Sequence, residues 1–191
     1  MKKTLALLAL LAPLAPALPA AAQAAAARPL SFEARGGATL PAGEFADGVG
    51  SGFTVGGSVG YLFSTYGGWG TSVYAGFTYN AFSVDDETGL LRDVRYQLPG
   101  FDAGLRTALP ATLGGEPFVR GGLVFYKGDL ADDPDAIRHD WELGLDGAAG
   151  FEYPRGARFT VTPALGYTWV PGQGIGDAAF LKLDVGLRVR L

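Results

Sequence analysis

The sequence predicts an all-β fold, an eight-stranded antiparallel up-and-down transmembrane β-barrel, and three observations support this prediction. In residues 181–191 every second side chain is apolar, and the intervening side chains are charged apart from one glycine. The same alternation recurs in eight segments bounded by turn residues. Long and short connections alternate along the chain, with both chain ends on the side of the short ones, as in transmembrane barrels.

The eight alternating segments define the predicted strands. They cover residues 30–40, 53–63, 69–79, 101–109, 119–125, 141–153, 159–169 and 181–191. The fourth segment is the least regular, because Tyr96 and Leu98 alternate in one phase and Phe101 onward in the other. This change predicts a loop end or a β-bulge at Pro99 and Gly100.

The two faces of the predicted strands differ sharply in charge. None of the apolar faces carries a charged residue, whereas the opposite faces carry six acids and seven bases: Glu33, Arg35, Asp102, Arg106, Arg120, Glu142, Asp146, Glu152, Arg158, Lys182, Asp184, Arg188 and Arg190. The connections follow the same order, with long ones at 41–52, 83–99, 127–140 and 170–179, and short ones at 64–68, 110–117 and 154–157.

Side-chain volume decides which face points outward. A soluble barrel would place the apolar face inside, but an eight-stranded interior is only just wide enough to be filled by side chains or to hold one small ligand. The apolar set contains all three tryptophans and most of the phenylalanines, whereas the charged set is interleaved with glycines. Tryptophan and tyrosine near strand ends fit the two interfacial girdles of a membrane barrel. We therefore predict apolar faces against lipid, a packed polar interior and no wide pore.

The first residues predict export. Lys2 and Lys3 precede an apolar stretch over 4–18, and Ala22-Gln23-Ala24 has the form of a cleavage site. This organisation predicts a signal peptide over 1–24 and a barrel domain over 25–191. The chain carries a net charge of −4. Removing two lysines takes it from −4 to −6, which disfavours nucleic acid as a partner. The absence of cysteine excludes disulfides and thiolate sites.

Candidate catalytic and metal-binding groups are weak. His139 is the single histidine, and no serine lies near it in the sequence to form a nucleophile–base pair. Two acidic clusters, at 85–87 and 129–135, lack the spacing of an EF-hand, so solvated acidic loops are favoured over weak Ca²⁺ or Mg²⁺ sites. Glu142 and Asp146 are interpreted as members of structural ion pairs rather than as an acid–base pair. The sequence therefore predicts no catalytic, cofactor-binding or metal-binding residues and no cofactor.

Four stretches carry a resemblance to a known family. They are Leu40-Pro41-Ala42-Gly43-Glu44-Phe45, the run from Glu116 to Gly122, the run from Gly144 to Tyr153, and the ending with Asp184, Gly186, Val189 and Leu191. They resemble the small eight-stranded outer-membrane barrels of the OmpA, OmpX and opacity-protein type. The ending resembles that family's assembly signal, with leucine in place of the usual terminal phenylalanine or tryptophan. The resemblance implies the outer membrane of a diderm bacterium, with membrane lipid, lipopolysaccharide or its equivalent and the barrel assembly machinery as partners.

The expected role is structural or interactive: a monomeric membrane anchor, not an enzyme, that presents four external loops to an unidentified surface ligand. Two alternatives stay open, namely narrow transport of small or apolar solutes and a lipid-modifying enzyme built around His139. The long connections carry twelve acids and four bases, hence −12 + 4 = −8. We also predict three ion-pair groupings in the lumen: Glu152 with Arg158, Arg120 with Asp146, and Glu33 and Arg35 near Asp184 and Arg188.

Overall fold

A computed structural model of the chain describes residues 29–84, 95–110, 114–130, 141–172 and 177–191. Most of these residues lie in strands: β1 Leu30–Ala42, β2 Val49–Tyr66, β3 Trp69–Val84, β4 Arg95–Ala108, β5 Glu116–Lys127, β6 Asp129–Leu130, β7 Trp141–Glu152, β8 Phe159–Val170 and β9 Ala178–Arg190. A short 3-10 helix, Gly43–Asp47, joins β1 to β2. The described ranges contain no helix with the length and apolar character needed to cross a membrane.

The eight long strands close into one antiparallel barrel. Each pairs with its neighbour along the chain, and β1 pairs with β9 from Ser31 opposite Arg190 to Ala42 opposite Ala179. The pairings leave no free edge among the long strands, and the two-residue β6 only extends the β4 side, through Tyr96 opposite Leu130. The predicted fold class is confirmed, and the strands are longer than the alternation alone indicated. The first long connection accordingly shrinks to 43–48.

The apolar faces point outward, as predicted. In β9 the side chains of Leu183 and Leu187 are each 64% exposed, whereas Lys182 and Asp184 between them are 2% and 3% exposed. The other long strands show the same division, with exposed Phe, Leu and Val on one side and buried charged or hydroxyl residues on the other. A barrel with this outside is suited to lipid and not to water, because so large a continuous apolar surface is not tolerated on a soluble monomer.

The prediction of a loop end or bulge at Pro99 and Gly100 is wrong. Strand β4 runs unbroken through both residues, and its pairing with β3 keeps one register from Ser83 opposite Arg95 to Gly70 opposite Ala108. Tyr96 and Leu98 are in phase with Asp102 and point into the lumen, where they are buried. The apparent phase change reflects a change in the lumen lining, from charged to apolar, and not a change in the strand.

The two ends of the barrel differ. Both described termini and the short connections lie at one end, here called the turn end, and the longer connections lie at the other, the loop end. At the turn end β2 and β3 are joined by Gly67 and Gly68, whose φ angles are +56° and +86°. Two successive positive φ angles define a type I′ hairpin turn, whose twist matches that of the flanking strands. The chain therefore uses glycine where other residues would be strained.

Replacing Gly68 with alanine should destabilise the barrel by about 1–2 kcal/mol, because a Cβ is disfavoured at positive φ. The matched control is Gly36→Ala in β1, where the added Cβ would meet nothing closer than the Thr54 carbonyl oxygen at 3.6 Å. The control should be neutral or slightly stabilising. Urea unfolding of both variants in lipid vesicles measures the difference. Equal effects at the two sites would contradict this assignment of the turn.

Candidate functional site

The lumen contains the polar groups that strand alternation directs inward, and it is divided into three zones along the barrel axis. Nearest the turn end, Glu152 collects three cations. Its carboxylate accepts hydrogen bonds from Arg106 Nη2 at 2.9 Å and Thr160 Oγ1 at 2.7 Å, and pairs with Arg190 at 2.8 Å and Arg188 at 3.5 Å. Because Glu152 is only 1% exposed, these contacts supply the charge compensation that a buried carboxylate needs.

The turn-end zone is further ordered around Arg190 and Arg106. Arg190 Nη2 also donates to Glu116 Oε2 at 2.8 Å, which links β9 to β5 across the turn end. The guanidinium carbon of Arg106 lies 3.8 Å from the ring centre of Phe118, a cation–π contact. Five strands, β4, β5, β7, β8 and β9, therefore meet in one network.

The middle zone contains two compact ion pairs. Arg35 Nη2 donates to Asp102 Oδ2 at 3.0 Å and to Thr78 Oγ1 at 2.7 Å. Lys182 Nζ donates to the Asp146 carboxylate, which also accepts a hydrogen bond of 2.7 Å from Thr168 Oγ1. All four charged groups are 2–6% exposed. Each pair joins strands that are not neighbours along the chain, β1 with β4 and β7 with β9.

Arg120 lies between two carboxylates in the same zone. Its Nε is 3.8 Å from Asp146 Oδ1, and its Nη2 is 3.7 Å from Asp184 Oδ2. Both distances are within the range of an ion pair but exceed that of a hydrogen bond. Neither nitrogen has a hydrogen-bond partner among the described residues. Arg120 is therefore held by charge but leaves donor capacity unused.

The loop-end zone is apolar. Ten buried residues fill it: Phe45, Val49, Phe82, Tyr96, Leu98, Val124, Tyr126, Val170, Ala178 and Phe180. Phe45 comes from the 3-10 helix, and its ring lies 5.1 Å from that of Phe82 and 5.7 Å from that of Tyr96, edge to face in both cases. Phe180 and Phe82 are likewise 5.1 Å apart. We call this set the apolar plug, since it fills the lumen where the strands meet the loops.

The predicted polar interior therefore holds for two zones but not for the third. Six of the ten plug residues lie in 41–52, 83–99 and 170–179, which the alternation assigns to loops, so the sequence pattern does not predict the plug. A signal was present: at the loop end the lumen phase of β3, β4 and β5 changes from charged or small residues to Phe82, Tyr96, Leu98, Val124 and Tyr126.

The three predicted ion-pair groupings have different outcomes. Arg120 lies near Asp146, as expected. Closure of the barrel places Glu33 opposite Arg188, and Gly37 opposite Asp184 two positions beyond Arg35, so the expected approach of the two strands is found. The ion pairs themselves differ: Arg35 pairs with Asp102, Asp184 lies near Arg120, and Glu33 forms no ion pair with the residues that the structure describes. The prediction that Glu152 pairs with Arg158 is wrong.

Glu152 does not meet Arg158 because Arg158 lies in the turn that joins β7 to β8. Tyr153, directly after β7, lies opposite Val161 of β8, so Arg158 falls outside the paired parts of these two strands. Its side chain is exposed at the turn end, and its guanidinium carbon lies 5.7 Å from the centre of the Phe159 ring. Glu152 pairs instead with arginines from β4 and β9.

Several candidate groups lie outside the described residues. These are His139 and the acids Asp85, Asp86, Glu87, Asp132, Asp133 and Asp135. Of the predicted acid pair, Asp146 forms ion pairs, whereas Glu142 forms none with the residues that the structure describes. Ser31 and Ser72 are buried in the lumen and donate to the carbonyl oxygens of Gly60 and Arg106.

Comparison with known proteins agrees with this geometry. A family model for the outer membrane protein beta-barrel domain matches residues 8–188. The structure is similar to Neisserial surface protein A, with 14% identity, a TM-score of 0.64, and coverage of 85% of this chain and 97% of that one. It is also similar to the N-terminal β-barrel domain of Pseudomonas aeruginosa OprF, with 18% identity, a TM-score of 0.53, and coverage of 86% and 98%.

A search of curated proteins found no match. The two structural likenesses show the fold, and the family match spans nearly the whole sequence. The family match, together with the outward apolar faces and the inward charges, places the barrel in the outer membrane. The chain belongs to the outer-membrane β-barrel protein family and resides in the outer membrane of a Gram-negative, diderm bacterium.

Proposed function

We propose that the protein is a non-enzymatic outer-membrane anchor that presents four external loops to a partner and does not form a wide pore. The observation that supports this proposal is the filled lumen. Two zones are occupied by paired charges and the third by the apolar plug, so both the polar and the apolar side chains inside the barrel are used for packing. In this family the long connections are external and the short turns periplasmic.

The apolar plug argues against an open water-filled path. Phe45, Phe82, Leu98 and Phe180 are each 0% exposed, so no solvent reaches them from either side. An ion crossing this zone would lose its hydration without gaining a polar partner, which costs many kcal/mol. Narrow transport of a small or apolar solute, the first alternative, would require Phe45 to leave the plug together with its 3-10 helix.

The external loops supply the interaction surface in this proposal. Their sequence carries twelve acids against four bases, −12 + 4 = −8. A surface of that charge attracts cationic partners and, through divalent cations, the phosphates of lipopolysaccharide or its equivalent. The association should therefore weaken as salt is raised, since exposed charges are screened over a Debye length of about 10 Å at 0.1 M.

Export and assembly complete the proposal. Residues 1–24 act as a cleaved signal peptide, and the mature chain from residue 25 is inserted by the barrel assembly machinery through the carboxy-terminal strand β9. The closed pairing of β1 with β9 supports a monomer, because all eight long strands find their partners within one chain.

A deletion strain assayed for envelope integrity and for adhesion tests the proposed role. The strain should show a defect in envelope integrity or adhesion, and the wild-type gene should correct this defect. A variant with Asp132, Asp133 and Asp135 changed to Asn should assemble its barrel but should fail to restore adhesion. The matched control is Arg158→Gln, an exposed charge on the periplasmic side, which should restore it fully. Restoration by the loop variant would count against recognition through the acidic loop. A lipid A modification lost in the deletion strain would favour the enzyme alternative instead.

A further inference from the structure

An apolar groove lies on the lipid-facing surface of β1, β2, β3 and β9. Its volume is about 500 Å³, and its walls include the outward side chains of Phe32, Val59, Leu187 and Val189. Phe32, Val59 and Leu187 are 43%, 44% and 64% exposed, so the groove faces the membrane and not the lumen. Because the walls of an empty depression would lose their van der Waals contacts, hydrocarbon from the membrane or a partner must fill it.

Small residues form the floor of the groove, although the backbone does not require them to be small. Ala34, Gly57 and Ala75 line it. A Cβ added to Gly57 would meet nothing closer than the Glu33 carbonyl oxygen, at 3.4 Å, and Gly57 does not have a positive φ angle. A larger side chain at residue 57 would therefore fill the groove without straining the strand.

The groove begins near the turn end of β8 and rises toward the middle of the barrel. Phe159 of β8 lies opposite Val189 of β9, which lies opposite Phe32 of β1. Phe32 in turn lies opposite Val59 of β2. Phe159 is the first residue of β8, whereas Val59 lies well inside β2. Because barrel strands are tilted, an acyl chain that follows the membrane normal from the start of β8 passes over β9 and β1 toward β2.

A cation lies at the lower entrance of the groove. Arg158 is exposed and forms no ion pair with the residues that the structure describes, whereas Arg155 of the same turn lies 3.7 Å from Glu116. Strand phase would direct Arg158 inward, like the buried Thr160. Its guanidinium carbon nevertheless lies 5.7 Å from the ring centre of Phe159, which is 65% exposed on the outside. The Arg158 charge is therefore at the outer rim of the barrel, where the groove begins.

A cation at the membrane interface beside an apolar groove matches the two parts of a phospholipid. A guanidinium group binds a phosphate through paired N–H donors, and the groove accommodates hydrocarbon. A second copy of the chain fits this surface less well. A two-fold contact places the same patch of both copies together, so it would bring two Arg158 groups into one interface without an anion between them.

We propose that this surface is a binding site for one phospholipid of the leaflet at the turn end, which is the periplasmic leaflet in barrels of this type. Arg158 donates hydrogen bonds to the lipid phosphate, and one acyl chain lies along the groove over Ala34 and Gly57. The site is at the opposite end of the barrel from the external loops. Arg158→Gln therefore leaves adhesion through the loops intact, and the two proposals are tested separately.

Native mass spectrometry of the folded barrel in non-ionic detergent, with phosphatidylglycerol added, tests the headgroup contact. The wild type should retain one lipid, and Arg158→Gln should bind it about fivefold more weakly, the effect of one cation near an anionic headgroup. The matched control, Arg155→Gln, removes a paired charge from the same turn and should bind like the wild type. Diacylglycerol with the same chains lacks the phosphate and should bind the wild type weakly. Equal binding of phosphatidylglycerol by wild type and Arg158→Gln, or a dimer without lipid, would overturn the proposal.

NMR with phosphatidylglycerol that carries a nitroxide on its acyl chain tests the position of the chain. In phosphatidylcholine nanodiscs with a small fraction of this lipid, the amide signals of Ala34 and Gly57 should broaden more than those of Gly121 and Gly147 on the opposite side of the barrel. This comparison needs no variant, so a folding defect cannot obscure it. Gly57→Leu should remove the excess broadening at Ala34. The matched control, Gly121→Leu, adds the same side chain where a Cβ meets nothing closer than 3.9 Å, and should preserve it. Equal broadening around the whole barrel would contradict a defined lipid site.

Discussion

Replacing Leu145 with arginine should destabilise the folded barrel by about 2–4 kcal/mol and impair its insertion, because it places a charge on the lipid-facing surface of β7. Leu145 is 37% exposed on the outside, whereas the adjacent Asp146 is 5% exposed inside. These neighbouring side chains therefore lie on opposite faces of one strand, one toward lipid and one toward the lumen. Urea unfolding in lipid vesicles measures the loss of stability, with the mobility difference between folded and heated protein on a mild gel as the readout.

The matched control for this substitution is Leu40→Arg. Leu40 is also lipid-facing, at 53% exposure, but it lies near the loop end of β1. A charge close to the membrane interface should cost only about 0–1 kcal/mol. Equal costs at the two positions would show that the outer surface does not experience a graded lipid environment. Folding of the wild type in plain buffer would show that it does not face lipid at all.

Removing the Lys182 ammonium group by Lys182→Met should cost about 3–5 kcal/mol, because the Asp146 carboxylate then loses its closest cation in a site shielded from water. Both residues are at most 5% exposed. The double variant Lys182→Met with Asp146→Leu should be less destabilised than the sum of the single variants, since no charge of the pair is left alone. A double-mutant cycle in lipid vesicles gives this coupling free energy.

The comparison cycle uses Arg120 with Asp146. Their closest approach is 3.8 Å, without a hydrogen bond, and Arg120 also faces Asp184 at 3.7 Å. The coupling between Arg120 and Asp146 should therefore be smaller than that between Lys182 and Asp146. Additive effects in the Lys182 cycle would contradict the ion-pair account of the middle zone, and a larger coupling for Arg120 would contradict the geometry proposed here.

The sequence was sufficient to predict the strands and their orientation because a barrel strand shows a period of two. Leu181, Leu183, Val185 and Leu187 alternate with charged residues, and this pattern has only one strand orientation that fits an eight-stranded interior. The positions of Glu33 and Arg188 were predictable for a related reason: closing the first strand on the last fixes which residues face each other.

The lumen contacts across the barrel were not predictable in the same way. Arg35 and Asp102 lie on β1 and β4, so neither strand adjacency nor spacing in the sequence relates them. The same holds for Glu152, which pairs with arginines of β4 and β9 rather than with nearby Arg158. Such pairs depend on barrel diameter, stagger and side-chain reach, which a single strand does not encode.

The apolar plug escaped prediction for another reason. Alternation separates an apolar lipid face from a polar lumen face, so apolar residues on the lumen phase, such as Tyr96 and Leu98, resemble a change of register in the sequence. The strand is continuous there, with Leu98 opposite Asn80 and Tyr96 opposite Phe82. An apolar residue on the lumen phase near a loop is better interpreted as lumen packing whenever the adjacent strands show the same change.

The central claim is that the paired charges and the apolar plug close the lumen to ions. Current recording across a planar bilayer containing the purified, folded protein tests it most directly. We expect no stable conductance steps, at neutral pH and in high salt, even when gel mobility shows that the protein is folded. Reproducible steps of defined size from the folded wild type would contradict the closed lumen and would favour a transport function instead.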